Sequence, residues 1–230
     1  MARQEYAIIV AGGKGTRMQQ ALPKQFLTLH GLPVLMHTLY AFYRYSSTLP
    51  IILVLPEDDF ATWESLCRTH QFTLPVTLQA GGASRYASVK KGLGRIEGDG
   101  LVAIHDGVRP LVSEAIIAKS FRLAAENQSA VAAVTLKDSI RQVDGVSTRA
   151  LDRSSFRLIQ TPQTFDVSVI RAAYDQPEDA TLTDDASLAE RAGLSITLFE
   201  GGYENIKITT PEDLVVAEAL LNIRDRRSPQ

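Results

Sequence analysis

Residues 6–18 read YAIIVAGGKGTRM, an apolar run that leads directly into a glycine-rich segment. The first six residues are apolar and rich in Ile, Val and Ala, which is typical of a strand buried on both faces of a parallel sheet. The glycines after them allow backbone N–H groups to approach an anion closely, and a helix N-terminus beyond them adds a positive dipole. The stretch therefore predicts a strand, an anion-binding loop and a helix.

The first half of the chain repeats this order of strand, loop and helix. Further runs rich in Val and Ile predict strands at residues 51–55, 76–80, 101–105 and 130–136, and the segments between them predict helices at 33–45, 58–70, 84–96 and 113–127. Alternating strands and helices predict an α/β fold, so we expect a Rossmann-like open, mostly parallel sheet flanked by helices. Ligands bind such sheets at the carboxyl ends of the strands.

The pattern changes after Leu136. Residues 138–143, a turn at 144–145, and residues 156–160 predict a hairpin-like excursion without a helix. It is too polar to be stable alone, so we expect a β-arm at about 137–160 that packs on a second copy of the chain. Alternation then resumes, with predicted helices at 167–174 and 184–192, strands at 195–199 and 205–208, and a last helix that Thr210 caps. We predict a single domain over residues 1–230.

Composition excludes several classes of protein. The 24 basic and 26 acidic residues give a net charge of −2, which argues against a nucleic-acid partner. The single cysteine, Cys67, excludes an internal disulfide and a zinc site made of cysteines, and it fits a reducing cytoplasm. The longest uncharged stretch, residues 25–43, contains two His, a Gly and a Pro, so we expect no membrane span.

The glycine loop fits neither of two common phosphate-binding patterns. The P-loop spacing is wrong, and the dinucleotide fingerprint requires a glycine where Met18 stands and an acidic residue about twenty positions later. Residues 6–56 contain no Asp or Glu at all. The same stretch contains several cations: Lys14, Arg17, Lys24 and Arg44. A strand-end loop with cations and no acids is suited to a polyphosphate.

Six blocks of sequence, in this order, resemble the 2-C-methyl-D-erythritol 4-phosphate cytidylyltransferase family. They are AGGKGTRM at 11–18 with PKQ at 23–25, GGASR at 81–85 with SV at 88–89, HDGVRP at 105–110, TPQ at 161–163, TDDA at 183–186 and NIKIT at 205–209. The first block alone resembles the signature loop of nucleotidyltransferases. Together the blocks cover nearly the whole chain.

The resemblance implies a defined reaction. In that family, 2-C-methyl-D-erythritol 4-phosphate attacks the α-phosphate of CTP to give 4-CDP-2-C-methyl-D-erythritol and pyrophosphate, in non-mevalonate isoprenoid precursor synthesis. The attacking phosphate has a second pKa near ~6, so it is largely dianionic at neutral pH and requires no general base. The enzyme's task is electrostatic, because oriented cations and backbone donors must stabilise charge on the α-phosphate.

The resemblance also implies roles for individual residues. Arg17 and Lys24 would be catalytic and stabilise the transition state, whereas Lys14 would be solvated or accessory. Asp106 would hold Mg²⁺, an ion that prefers oxygen ligands. Residues implied to bind the nucleotide are Ala11, Gly12, Gly13, Gly15, Gly81, Gly82, Ser88, Asp106 and Arg109. Residues implied to position the sugar phosphate are Arg153, Lys207, Thr161, Thr183, Ser139 and Asp138. His105 we interpret as structural.

The resemblance further implies a homodimer, in which Arg153 on an exchanged arm would complete the partner's site. Three alternatives remain at this stage. One is a ribitol-5-phosphate cytidylyltransferase of the same fold. Another is an NAD-dependent oxidoreductase, which Met18 and the missing acidic residue disfavour. The third is a sensor that binds the nucleotide without catalysis, which the retention of Arg17, Lys24, Asp106 and Lys207 disfavours.

Overall fold

A central sheet organises the computed structural model, which describes residues 3–12, 22–179 and 181–227. The strands are, in chain order, β1 (Glu5–Val10), β2 (Thr28–Leu29), β3 (Leu32–Pro33), β4 (Ile51–Leu55), β5 (Thr77–Ala80), β6 (Leu101–Asp106), β7 (Ser129–Thr135), β8 (Ile140–Asp144), β9 (Ser147–Leu151), β10 (Arg157–Asp166) and β11 (Leu198–Glu200). Seven of them form the main sheet in the order β11-β7-β10-β6-β1-β4-β5. The short pairs β2-β3 and β8-β9 stand apart from it.

The main sheet is parallel except for one strand. Neighbouring strands from β6 through β1 and β4 to β5 run parallel, as do β7 and β11. Strand β10 lies between β6 and β7 and runs antiparallel to both. The predicted open, mostly parallel α/β sheet is therefore confirmed. The assignment of residues 156–160 to the excursion was wrong, because residues 157–160 begin the long strand β10.

Helices cover both faces of the sheet. They are α1 (Val34–Tyr45), α2 (Phe60–Thr69), α3 (Arg85–Leu93), α4 (Glu114–Asn127), α5 (Val167–Tyr174), α6 (Asp185–Arg191) and α7 (Pro211–Arg227). Side chains alternate along β1, so Ala7 and Ile9 pack with α1, α2 and α4, while Ile8 packs with α3, α5 and α6. This alternation divides the core into two apolar layers, one on each side of the sheet.

The C-terminal helix α7 packs on a smaller apolar cluster with Val108 and Ile208. Its N-terminus is capped as expected, since Thr210 Oγ1 accepts a hydrogen bond from the Asp213 N–H, and the Asp213 carboxylate accepts from the Thr209 and Thr210 N–H groups. The predicted strand at 205–208 was wrong. That segment is a loop, which the Ile208 N–H attaches to the Val108 carbonyl instead of a strand ladder.

Strands β8 and β9 form the expected hairpin, with its turn at Gly145 and Val146. Its second strand is Ser147–Leu151 and not residues 156–160, because the chain turns back directly after Asp144. The hairpin is exposed along both strands. Whether it packs on a second copy stays a prediction. Among the described residues, no helix is both long and apolar enough to cross a membrane.

Candidate active site

A cavity of about 220 Å³ opens at the carboxyl ends of the parallel strands. Its wall comes from three strand ends, a short helical turn and a loop. The lining residues are Val10, Ala11 and Gly12 at the end of β1, residues 82–85 and Ser88 after β5, Asp106 and Val108 at the end of β6, Lys24 and Gln25 in a 3-10 turn, and Lys207 in the loop before α7. The fold thus brings together predicted residues that are up to 196 positions apart in the chain, which is the distance from Ala11 to Lys207. The position agrees with the expectation for an open α/β sheet.

A tight turn at Gly81–Gly82 forms one side of the cavity. The Gly82 N–H donates to Ser88 Oγ at 3.0 Å, and the Ser88 hydroxyl donates to the Ser84 carbonyl at 2.8 Å. A side chain does not fit at Gly82, since an added Cβ would lie 2.4 Å from the Ala87 Cβ. Ser84 caps α3 by accepting from the Ala87 N–H. The turn therefore presents bare backbone to the cavity, held in place by Ser88.

Asp106 is the electrostatic centre of the site. Its Oδ2 lies 3.0 Å from Lys207 Nζ and 3.2 Å from Arg109 Nε, and its Oδ1 lies 4.0 Å from Arg85 Nε. Burial raises the pKa of the Asp106 carboxyl, but Lys207, Arg85 and Arg109 outweigh burial and hold that pKa well below its usual range. Asp106 is therefore a carboxylate at every physiological pH, and three cations converge on it.

A second cavity lies on the other side of this cluster. Arg85, Asp106 and Lys207 line both cavities, which makes them the shared wall of one cleft with two compartments. The remaining residues around the second compartment are Arg109, Ile159, Gln160, Thr161, Gln163, Thr183 and Asp184. Two ligands bound in the two compartments would meet at the cations around Asp106.

His105 and Thr161 support Asp106 from behind. Burial lowers the pKa of His105 to about 3, so its ring is neutral. The ring Nε2 lies 3.3 Å from the Arg109 carbonyl, which can only accept, so the proton is on Nε2. Nδ1 then accepts from the Thr161 hydroxyl at 3.0 Å, and Thr161 Oγ1 accepts from the Asp106 N–H at 3.1 Å. This is the structural role predicted for His105.

The same network also engages Thr161. That residue was expected to donate its hydroxyl hydrogen bond to the sugar phosphate. Thr161 is 4% exposed, and its hydroxyl hydrogen is directed at His105. Thr161 therefore supports Asp106 from the edge of the second compartment, and its contact with the sugar phosphate stays a prediction.

Gln163 brings another predicted block to the cleft. Its Nε2 donates to Asp184 Oδ2 at 2.9 Å, and its Oε1 accepts from the Ala186 N–H at 2.9 Å. Since these bonds fasten the start of α6 to β10, Thr183 is placed at the rim of the second compartment, where it is exposed. The TPQ and TDDA blocks of the sequence are thus one structural unit.

The comparisons with known proteins fit this geometry. The family model of 2-C-methyl-D-erythritol 4-phosphate cytidylyltransferase matches residues 6–223. The chain belongs to this family. Among its relatives, a protein of this name from Bacteroides fragilis is 46% identical over 215 residues, covering 94% of this chain and 98% of the relative. Another from Porphyromonas gingivalis is 46% identical over 222 residues, covering 96% and 99%.

Solved structures of cytidylyltransferases give the same result. The 4-diphosphocytidyl-2C-methyl-D-erythritol synthase of Anaerococcus prevotii superposes with a TM-score of 0.82 at 30% identity, covering 96% of each chain. The 2-C-methyl-D-erythritol 4-phosphate cytidylyltransferase of Thermus thermophilus gives 0.77 at 31% identity, covering 96% of this chain and 98% of that one. The predicted family and the predicted class of enzyme, a nucleotidyltransferase, are confirmed. The oxidoreductase alternative is thereby disfavoured.

Some predicted residues of the cytidylyltransferase site do not line the cleft of the single chain. Arg153, Asp138 and Ser139 are exposed near the hairpin, and none of them lines either compartment. The Arg153 guanidinium donates to the Lys137 carbonyl. Gly81 stands directly beside the lining residue Gly82. The predicted residues Gly13, Gly15 and Arg17, and also Lys14, lie outside the described residues.

Several residues that the cleft contains were not among the predicted site residues. Arg85 lines both compartments, and Asp185, which is fully buried, pairs with it. Gln163 and Asn205 are buried supports of the site. All four residues belong to the sequence blocks that resemble the family, so the sequence did mark them as belonging to the site. A buried support cannot be distinguished from a ligand-contacting residue without the fold.

Among the described residues, the first compartment offers the predicted Mg²⁺ one carboxylate, that of Asp106. No group of three or more His, Cys, Asp or Glu suitable for a metal occurs in the described residues. Asp106 is ionised, and it faces three cations. Mg²⁺ commonly binds through one or two carboxylates together with substrate phosphates and waters. The donor set therefore fits an ion that arrives with a polyphosphate, and it does not fit a metal held by protein alone.

Proposed function

We propose that the chain transfers the cytidylyl group of CTP to 2-C-methyl-D-erythritol 4-phosphate and releases pyrophosphate. The observation that carries this proposal is the convergence of Arg85, Arg109 and Lys207 on Asp106, between two compartments, in a chain of this family. Two polyanions have to approach each other in the reaction, and the cations at the shared wall offset their repulsion.

The nucleotide occupies the first compartment. The backbone of the Gly81–Gly82 turn reads the edge of the cytosine, and the Ser88 hydroxyl holds that turn. Because no side chain fits at Gly82, a base can approach the main chain closely there. Lys24 lines the same compartment, and the family resemblance implies that Lys24 and Arg17 contact the triphosphate. Both cations stabilise the charge that develops on the α-phosphate.

The sugar phosphate occupies the second compartment. Its dianionic phosphate attacks the α-phosphorus, and the bond to pyrophosphate breaks as the new P–O bond forms, so no proton has to be removed first. Lys207 holds the incoming phosphate together with Arg109, which was predicted to bind the nucleotide but lines the second compartment and not the first. Thr183 at the rim contacts the polyol. Arg153, Asp138 and Ser139 reach the polyol from the arm of a partner subunit in a cytoplasmic homodimer.

A Mg²⁺ ion would be bound together with the triphosphate. Asp106 is the residue that would hold it, since it is the carboxylate in both compartments that faces the cations. When bound, the ion supplies positive charge to the phosphates of CTP. Asp106 also aligns Lys207 and Arg109, and this second role does not depend on the ion.

A direct assay tests the proposal. Purified protein receives CTP and Mg²⁺ with either 2-C-methyl-D-erythritol 4-phosphate or ribitol 5-phosphate, and pyrophosphate release is followed. We expect release with the first acceptor at a kcat/KM at least tenfold above that with the second. A preference for ribitol 5-phosphate would overturn the acceptor, and absence of release with both would overturn the function. Lys24→Ala is the negative control for a contaminating activity.

A further inference from the structure

The segment between β11 and α7 carries Lys207 but has no strand ladder to hold it. This loop, residues 201–208, lies against the middle of β10. There the pairing of β10 with β7 shifts register between Ile159 and Gln163. Residues 160–162 therefore have no partner in that ladder, and their polar backbone groups require other partners.

Two amide side chains link the loop to this irregular part of β10. Gln160 Nε2 donates to the Gly202 carbonyl at 2.8 Å, and Gln160 Oε1 accepts from the Gly202 N–H at 3.3 Å. Asn205 Nδ2 donates to the free Thr161 carbonyl at 2.8 Å. The loop approaches so closely that a Cβ at Gly201 would lie 2.5 Å from Gln160 Oε1.

Asn205 faces the active site with its backbone. Its carbonyl accepts from Arg109 Nη1 at 2.8 Å, while Arg109 Nε donates to Asp106 Oδ2 at 3.2 Å. Two residues further along the chain, Lys207 Nζ reaches the same Asp106 oxygen at 3.0 Å. The Asn205 carbonyl therefore fixes the guanidinium of Arg109 directly. The Asn205 side chain fixes the backbone that carries Lys207.

The side chain of Asn205 links the loop to β10 but leaves one of its own polar atoms without a hydrogen bond. Asn205 is 1% exposed, and its Oδ1 has no hydrogen-bond partner among the described residues. An unpaired buried carbonyl is destabilising, and an apolar residue of similar size would avoid that penalty. An apolar residue could not, however, donate a hydrogen bond to the Thr161 carbonyl as Asn205 Nδ2 does.

We propose that Asn205 is a positioning residue, which holds Arg109 and Lys207 on one oxygen of Asp106 without touching either substrate. The inference rests on the proposed function for its kinetic consequence. Cations displaced by about 1 Å lose much of their effect on a transition state, so Asn205 controls kcat. The nucleoside is held by a separate turn at Gly82 and Ser88, so Asn205 leaves the KM for CTP nearly unchanged.

The first experiment compares Asn205→Ala with Asn127→Ala. Asn127 is a matched control, because its Nδ2 also donates to a backbone carbonyl, that of Leu123 at 2.9 Å, on an exposed face of α4. We expect Asn205→Ala to lower kcat on the order of 10–100-fold and to change the KM for CTP less than about threefold. Asn127→Ala keeps wild-type kinetics. An unchanged kcat in Asn205→Ala would overturn the proposal.

A double-mutant cycle separates positioning from a merely structural role. In a Lys207→Gln background, Asn205→Ala should lower kcat by less than about threefold more, because the cation carried on the loop is already gone, while the Asn205 backbone carbonyl that holds Arg109 remains in Asn205→Ala. Fully multiplicative effects would overturn the proposal. If Asn205→Ala is too unstable to assay, Gln160→Leu serves instead. It removes the two Gly202 bonds and the longer bond that Asn205 Nδ2 donates to Gln160 Oε1 at 3.4 Å but keeps the bond from Asn205 to Thr161, so we expect a smaller loss in kcat with the same dependence on Lys207.

A spectroscopic readout keeps this inference distinct from the proposed function. Lysines are dimethylated with ¹³C, and the Lys207 signal is identified by its loss in Lys207→Gln. We expect that signal to shift in Asn205→Ala and to stay unchanged in Asn127→Ala, whichever substrate the enzyme uses. An unmoved signal would overturn the positioning of Lys207, whereas an inactive wild type with a shifted signal would overturn only the proposed function.

Discussion

The guanidinium of Arg85 pairs with the carboxylate of Asp185 through two parallel hydrogen bonds of 2.7 and 2.6 Å, although the residues are 100 positions apart. Asp185 is fully buried, and it also accepts from the Tyr174 hydroxyl at 2.5 Å. This pair joins the start of α6 to the wall shared by the two compartments. A buried charge far from the reacting atoms therefore determines where a cation of the cleft points.

Breaking this pair from one side should destabilise the fold more than removing both charges. Arg85→Met leaves a buried carboxylate without its cation, which costs about 3–5 kcal/mol of unfolding free energy. Arg85→Met with Asp185→Asn removes that charge while Tyr174 keeps an acceptor, so part of the loss is recovered. Urea unfolding of the single and double variants measures this. A double variant as unstable as the sum of the singles would contradict the prediction. Arg122→Met, which breaks the exposed pair with Glu126, should change stability by less than about 1 kcal/mol.

Lys24 should affect the rate and not the fold. Lys24→Ala is expected to lower kcat by on the order of 10²–10³, the usual effect of losing one donor to a developing charge. Lys24 lines the nucleotide compartment and is only half-buried, so the thermal midpoint should stay within a few degrees of wild type. Steady-state pyrophosphate release measures kcat, with Lys119→Ala, outside both compartments, as control. A loss below threefold would remove Lys24 from the catalytic set.

His105 should make the fold sensitive to mild acid. Its pKa is lowered by burial to about 3 in the folded chain, against about 6.5 when unfolded, so below pH 6.5 only the unfolded chain takes up the proton. The stabilisation is complete above pH 6.5 and declines as the pH falls toward 3, by about 2 kcal/mol at pH 5. Urea unfolding at pH 7 and pH 5 should therefore show a smaller difference in His105→Asn than in wild type. Asn127→Ala, which changes no titratable group, should keep the wild-type difference, and equal differences in all three proteins would contradict the prediction.

Arg153 should act in the site of the other subunit. If it does, Lys24→Ala and Arg153→Ala chains, each inactive alone, restore activity when mixed, because one site of each heterodimer then has both wild-type residues. Random assembly would recover roughly a quarter of the wild-type rate. The assay is pyrophosphate release after joint refolding of the two variants. No recovery, with heterodimers demonstrated by differential tagging, would place Arg153 in its own chain's site.

The parallel part of the fold could be predicted because its signals are local. The strands β1, β4 and β6 are short apolar runs, each bounded by polar residues or by Gly and Pro, and each lies within a residue or two of the prediction. Strand β10 escaped prediction because its first residues are exposed and its middle contains Pro162, which reads as an interruption. The loop at 205–208 was mistaken for a strand because its apolar residue Ile208 is buried by α7 and Val108.

A site residue could be predicted only where the chemistry of the residue suits a ligand and the structure leaves that residue free to contact it. Gly82 and Asp106 combine a suitable chemistry with a strand end, and Lys24 lies in the stretch without acidic residues that follows β1. The fold brings the three together as expected. Thr161 has a hydroxyl that suits a phosphate equally well, but the burial of His105 commits that hydroxyl elsewhere. Such a commitment depends on which side chain lies behind the strand, and the linear sequence does not contain that information.

The antiparallel strand β10 also affects how the sheet folds during synthesis. The sheet neighbours of β7 are β10 and β11, and both are synthesised after it. Strands β6, β1, β4 and β5 can assemble during translation, but β6 keeps an open edge until residues 157–166 emerge. A nascent chain paused before that point exposes unpaired strand edges on both β6 and β7, and such edges are what chaperones shield from aggregation. The strand that separates the two halves of the sheet is thus also the one whose late arrival completes it.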